Sequence, residues 1–174
     1  FRSADLVDSV NDMTKGNDWF LLANDFTSYM RAQDEVDELY RDHGGREAFL
    51  ASTASPPLGN LNSGLQLYRL KRQRPEVFAR IRHSHHLPQY LAAILHGNPV
   101  SEMTSIGCHT ALWDFGANDY HEWVRQEGVL AKLPPIAPTD RVHRVRVGDD
   151  EAVCGIGIHD SSSAMVPYAH VGGD

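Results

Sequence analysis

The chain is poor in the features that would assign it quickly. Of its 174 residues only two are cysteine, Cys108 and Cys154. That is too few for a disulfide framework and fits a reducing compartment, with the cytoplasm as the default. Each cysteine stands among small and apolar neighbours, so both are expected as buried structural thiols; a nucleophilic Cys154 beside His159 is the chemical alternative. No stretch of about 18 apolar residues is present, so no membrane span is expected. FRSADLVDSV lacks the positive and apolar regions of a signal peptide. A net charge of -7 argues against nucleic acid as the partner, because phosphate-backbone binders concentrate basic residues on one surface. HExxH and CxxC patterns, internal repeats and a glycine-rich phosphate cradle are missing as well.

What remains is an ordinary soluble composition, 41% hydrophobic, with length for one domain. A short apolar run at 19–23 between Asn-Asp pairs predicts a brief strand or buried turn. Helical composition at 34–40 and 45–51 is interrupted at His43, Gly44 and Gly45, and TASPPLGNLNSG reads as a loop. Leu61, Leu65 and Tyr68 then recur at helical spacing, with Arg69, Lys71 and Arg72 on the wet side and Pro75 opening the next turn. In LPQYLAAILHG a further helix is expected to turn Leu87, Tyr90, Leu91, Ile94 and Leu95 toward a core before Gly97 ends it. DYHEWVRQEGV predicts a short helix closed by Gly128, and RVHRVRVGDDEAVCGIGI predicts strands around a Gly148-Asp149 turn. The class is α/β.

Several constellations carry possible chemistry. His83, His85 and His86 read as a partly exposed polar cluster; a metal site using His83 and His85, with His121 or His159 and Asp160 adding ligands, is the sharper alternative. Glu102, Asp114, Asp119 and Asp160 adjoin apolar or small residues, as carboxylates used for base chemistry do, although Asx turns and helix caps use the same residues. Trp113, Phe115 and Trp123 suit a core or a lid, or a stacking platform. For Asp160, in CGIGIHDSSSAMVPY, two readings stay open: an N-cap at a strand-to-helix turn, or a base in a site that Gly155 and Gly157 open to a ligand.

Four stretches, taken in order, resemble the FGGY family of carbohydrate kinases. They are GGREAFLASTASPPLGNLNSGLQLYRLKRQRPEVFARI, HLPQYLAAILHGNPVSEMTSIGCHTALWDF, YHEWV with LAKLPPI, and GIGIHDSSSAMVPY, within residues 36 to 168. The resemblance implies an α/β fold that is part of an actin-like (ribonuclease H-like) ATPase domain, incomplete at both ends. It implies a poorly matched segment 1–35 followed at 36–174 by a partial sugar-binding amino-terminal domain. Asp160 becomes the general base on the sugar hydroxyl that attacks the γ-phosphate of ATP. Asn62, Gln66, Glu102, Thr104 and His159 become sugar-binding residues, with no resident metal. ATP and Mg²⁺ are expected for the complete enzyme and held by a carboxy-terminal ATPase domain, because the family's DxGTT-like turn and adenosine loop are not found here. The chain alone is then expected to be an inactive fragment. A non-catalytic sugar-binding or regulatory module is the alternative. An uncovered interdomain face would also let copies associate into a homo-oligomer.

Overall fold

The computed structural model describes residues 19–21 and 33–169, so most of the 1–35 segment lies outside the described residues. Strand β1 (Trp19–Leu21) pairs in parallel with β2 (His83–His85), Trp19 opposite His83 and Leu21 opposite His85. Helices α1 (Gln33–Asp42) and α2 (Arg46–Thr53) flank the His43 to Gly45 break. A one-turn 3₁₀ segment, Gly59–Leu61, leads into α3 (Ser63–Gln73), and Pro75 opens α4 (Pro75–Arg80) at a position where its missing N–H costs nothing. After β2 come α5 (Leu87–His96), β3 (Ser101–Glu102), α6 (Met103–Ile106), β4 (Trp113–Asp114), β5 (Asp119–Tyr120) and α7 (Glu122–Gln126). The chain continues through β6 (Ile136–Ala137), β7 (Val142–Val147) and β8 (Asp150–Gly155) to α8 (Asp160–Ala169).

The described strands form four two-stranded pairs, two parallel (β1 with β2, β3 with β6) and two antiparallel (β4 with β5, β7 with β8). The fold is thus mixed helix and strand. β7 and β8 make the expected hairpin, with Gly148 at φ 65°, a left-handed turn position that glycine takes without steric cost.

The main core gathers the apolar stripes of α1, α2 and α3 around Trp123, which is fully buried and donates its indole N–H to the Ala111 carbonyl at 2.7 Å. Leu65 and Tyr68 supply α3's inner face as their spacing predicts; outside, Lys71 meets Glu127 at 2.6 Å and Arg72 meets Glu38 at 3.3 Å. Helix α3 approaches the neighbouring loop closely, because a Cβ on Gly64 would lie 2.6 Å from both the Leu112 side chain and the Thr110 carbonyl oxygen. A smaller cluster of Val100, Ala137 and Ile156 ties β3 and β6 to the segment after β8.

Three expectations need correction. In α5 only Tyr90 of the predicted inward set is buried; Leu87, Leu91 and Ile94 are 54% exposed and Leu95 58%. The helix buries Gln89, Tyr90, Ala92 and Ala93 instead. Spacing identified the apolar stripe correctly, but the small alanine side permits the closer approach to the described residues. Both cysteines are half-buried rather than buried. The third correction concerns His85, which is 1% exposed.

Burial pushes the His85 pKa down to about 4; the neighbouring His83 and His86 add to the effect, and a hydrogen bond involving the Val100 backbone opposes it. The unfolded imidazole titrates near pH 6.5, so its contribution is fully present above that pH and is lost as pH falls toward 4, where only the unfolded chain takes up the proton. Denaturant unfolding at pH 7.5 and pH 4.5 is expected to differ by up to about 3 kcal/mol from this group, and His85→Gln should flatten the pH dependence. No helix among the described residues is long and apolar enough to cross a membrane.

Candidate functional site

The site begins where β8 ends. Gly155 closes the strand and Ile156 is buried as an anchor; Gly157 takes φ 81° against the first turn of α5, and Asp160 opens α8. The cap of α8 is His159 rather than Asp160, because the His159 carbonyl accepts the N–H of Ser163 at 2.9 Å. Asp160 therefore occupies the first helical position, where the helix dipole favours a carboxylate. Its Oδ1 accepts the Ser161 N–H at 2.7 Å and lies 3.0 Å from His159 Nδ1. These contacts agree if Nδ1 carries a proton and donates to the carboxylate, since the Ser161 N–H is closer to Asp160 Oδ1 than to His159 Nδ1, at 3.3 Å. The Asp160 side chain is 92% exposed.

Facing this turn is the β3–α6 corner. Glu102 is fully buried, and its Oε2 accepts both the N–H of Thr104 at 2.9 Å and the Thr104 hydroxyl. Its Oε1 accepts the Thr139 hydroxyl at 2.6 Å. Thr104 Oγ1 in turn accepts the N–H of His159 at 2.9 Å. From α5, Gln89 donates to the Gly157 carbonyl at 2.8 Å. His86, just before α5, shares a hydrogen bond of 2.8 Å between its Nε2 and Ser63 Oγ; burial pushes its pKa down to about 4, with nearby His159 adding to the effect, so it is neutral at pH 7.

A cavity of about 320 Å³ opens beside these groups, lined by Ala54, Met103, Thr104, Gly107, Cys108, His109, Phe115 and Ser162. Phe115 is half exposed and offers an apolar face; His109 and Ser162 supply polar groups. An added Cβ at Gly107 would press on two side-chain ends, 3.0 Å from Met103 Cε and 3.2 Å from Phe115 Cζ. Ala54 and His109 hold left-handed backbone, φ 46° and 54°, each at a cost of about 1 kcal/mol. The Cys108 thiol is pushed up by burial and further by the charge of Asp160, which puts that carboxylate within electrostatic reach of the cavity wall.

Of the residues expected from the sequence, Thr104, His159 and Asp160 come together at this corner, with Thr104 on the cavity wall and Glu102 behind it. Asn62 is fully buried and donates to the His109 carbonyl at 3.1 Å, so it supports the wall from behind. Gln66 is buried within α3 and does not line the cavity. Sequence reasoning did not single out Gly107, Cys108, His109 or Ser162 as cavity residues, nor the pairing of His86 with Ser63. Asp114 and Asp119 are structural: Asp114 Oδ1 accepts from Gly116 and Ala117 N–H, an Asx turn, and Asp119 pairs with Arg125 at 2.6 Å. His83 and His85 stand with ring centroids 6.3 Å apart. Among the described residues no group of three or more His, Cys, Asp or Glu side chains could hold a metal ion.

No family model matches the chain, and no curated protein matches it. Solved structures do. A carbohydrate kinase from Novosphingobium aromaticivorans is 31% identical over 67% of this chain with a TM-score of 0.56. A xylulose kinase from Rhodospirillum rubrum is 25% identical over 67% with a TM-score of 0.52. A ligand-bound xylulose kinase from Lactobacillus acidophilus, 16% identical over 76% with a TM-score of 0.58, is alike in fold alone. The chain spans 27%, 24% and 29% of these three proteins, respectively. It has a carbohydrate-kinase-like fold over the aligned part.

Proposed function

We propose that this chain carries the sugar-hydroxyl side of a phosphoryl-transfer site, with Asp160 as general base. The observation that carries the reading is an exposed carboxylate, fixed at the first turn of α8 beside a small cavity, in a chain whose fold is like that of carbohydrate kinases. Phosphoryl transfer asks a protein mainly for positioning and charge neutralisation, plus a group that orients the attacking hydroxyl and takes its proton.

In this reading the contacts described above engage Asp160 Oδ1, and Oδ2 accepts the proton of a sugar hydroxyl. The hydroxyl oxygen forms a bond to the γ-phosphorus as the bond from that phosphorus to the β,γ-bridging oxygen breaks, and ADP leaves with the electron pair. ATP and its Mg²⁺ would be held by a nucleotide-binding domain of the complete kinase. His109 and Ser162 supply hydrogen-bonding groups, and Phe115 a face for the C–H side of the sugar.

Titration calorimetry of the 174-residue chain with ketoses and polyols, and separately with Mg-ATP, tests the division of labour. Heat of binding with a sugar and none with the nucleotide is the expected result. Nucleotide binding without sugar binding would contradict it. If the complete gene product also binds sugar but fails to transfer phosphate, the chain is a non-catalytic sugar-binding module.

A further inference from the structure

The geometry points to Glu102 and Thr104 as positioning residues for Asp160, acting through the backbone of His159; the inference rests on the reading of Asp160 as the base. A buried carboxylate is costly unless both oxygens are satisfied, and for stability alone an apolar side chain of similar volume would serve as well or better. Glu102 is nevertheless fully buried with hydrogen bonds at both oxygens, from Thr139 on one and from the amide and hydroxyl of Thr104 on the other.

The direction of these bonds matters. A threonine hydroxyl has one proton. Thr104 gives its proton to Glu102, so its oxygen is left as an acceptor, and the His159 N–H enters it at 2.9 Å across 55 residues of sequence. Both Glu102 oxygens accept, which sets the polarity of the chain from His159 N–H through Thr104 to the buried carboxylate.

A second tether holds the same turn two residues earlier, where Gln89 donates to the Gly157 carbonyl at 2.8 Å. One bond thus grips a carbonyl and the other an N–H of the short segment between β8 and α8. Together they set where α8 starts and so where the Asp160 carboxylate stands. Placement errors of the order of 1 Å cost about 100-fold in rate, which gives the tether its catalytic consequence.

The test uses Thr104→Val, Thr104→Ser and Glu102→Gln, with Asp160→Asn as reference. Two readouts are needed: phosphoryl transfer by the complete gene product, and amide hydrogen exchange of His159 in the full chain. Thr104→Val removes the acceptor and should lower kcat about 100-fold with KM within about threefold. It should also speed His159 amide exchange at least about tenfold while the Leu67 amide in the core stays protected. Thr104→Ser restores both readouts to near wild type. Glu102→Gln should keep kcat within about tenfold, because the amide oxygen can still accept from Thr104 while its NH₂ donates to Thr139.

If Thr104→Val does not fold, Thr104→Ala, which lacks the acceptor and adds no bulk, replaces it with the same expected values. Wild-type kcat, or unchanged His159 exchange, in the acceptor-free variant would overturn the positioning role, and a dead Asp160→Asn beside it would leave the base reading standing. An active Asp160→Asn would remove the base reading and this inference with it. Loss of activity in Glu102→Gln equal to that of Asp160→Asn would show that the charge, not the tether, is what counts.

Discussion

Asp160→Asn is expected to lower phosphoryl transfer by the complete gene product about 1,000-fold, within the range that positioned general bases contribute, while sugar affinity stays within about threefold. The substitution keeps size and hydrogen-bonding shape. The amide oxygen of the variant can still accept the Ser161 N–H, which the aspartate accepts at 2.7 Å, so the first turn of α8 should be retained. What disappears is an oxygen able to take a proton at neutral pH. Steady-state kinetics with the sugar varied separates the two effects, and a variant within about tenfold of wild-type kcat would eliminate Asp160 as the base.

The second large effect is on stability. Gly157→Ala should cost about 3 kcal/mol, the sum of a left-handed backbone penalty and a hard clash. Gly157 has φ 81°, and a Cβ there would fall 2.5 Å from the Pro88 carbonyl oxygen and 2.6 Å from its carbon. Neither partner yields easily, because Pro88 lies in the first turn of α5 and Gln89 holds the Gly157 carbonyl. Urea unfolding measures the loss directly; a change below about 1 kcal/mol would mean that the turn rearranges at little cost. Gly155→Ala is the matched control, since nothing lies within 4 Å of its added Cβ.

Much of the local structure was legible in the sequence because it is written at short range. Alternating Val142, Val145 and Val147 with a Gly148-Asp149 turn specified the β7–β8 hairpin, and Leu65 with Tyr68 specified the inner face of α3. Helix α5 shows where such reading stops. Its leucines mark an apolar stripe, but which stripe the described residues cover depends on the closeness of approach that Ala92, Ala93 and Gln89 permit. Asp160 was singled out from its strand-to-helix setting, yet the cap proved to be His159.

The residues around Asp160 were harder to read because they are joined across long separations. The resemblance to carbohydrate kinases implied Glu102 and Thr104 as sugar-binding residues, but no local pattern revealed that one supports the other and that Thr104 receives the His159 N–H. Asn62 is similar: the same resemblance implied ligand contact, and its amide donates to the His109 carbonyl behind the cavity. Cys108, His109 and Phe115 share one wall only because the chain reverses after α6, with His109 in a left-handed conformation that its residue type does not announce.

The central claim, that a sugar settles in the cavity beside Asp160, is tested most directly by the same sugar titration followed through backbone amide chemical shifts of the full chain. Shifts concentrated on Thr104, Cys108, His109, Phe115, Ser161 and Ser162, with β7 and the exposed face of α5 unmoved, are the predicted result. A saturable sugar response confined to the exposed face of α5, or no response from the cavity residues as sugar binds, would contradict it.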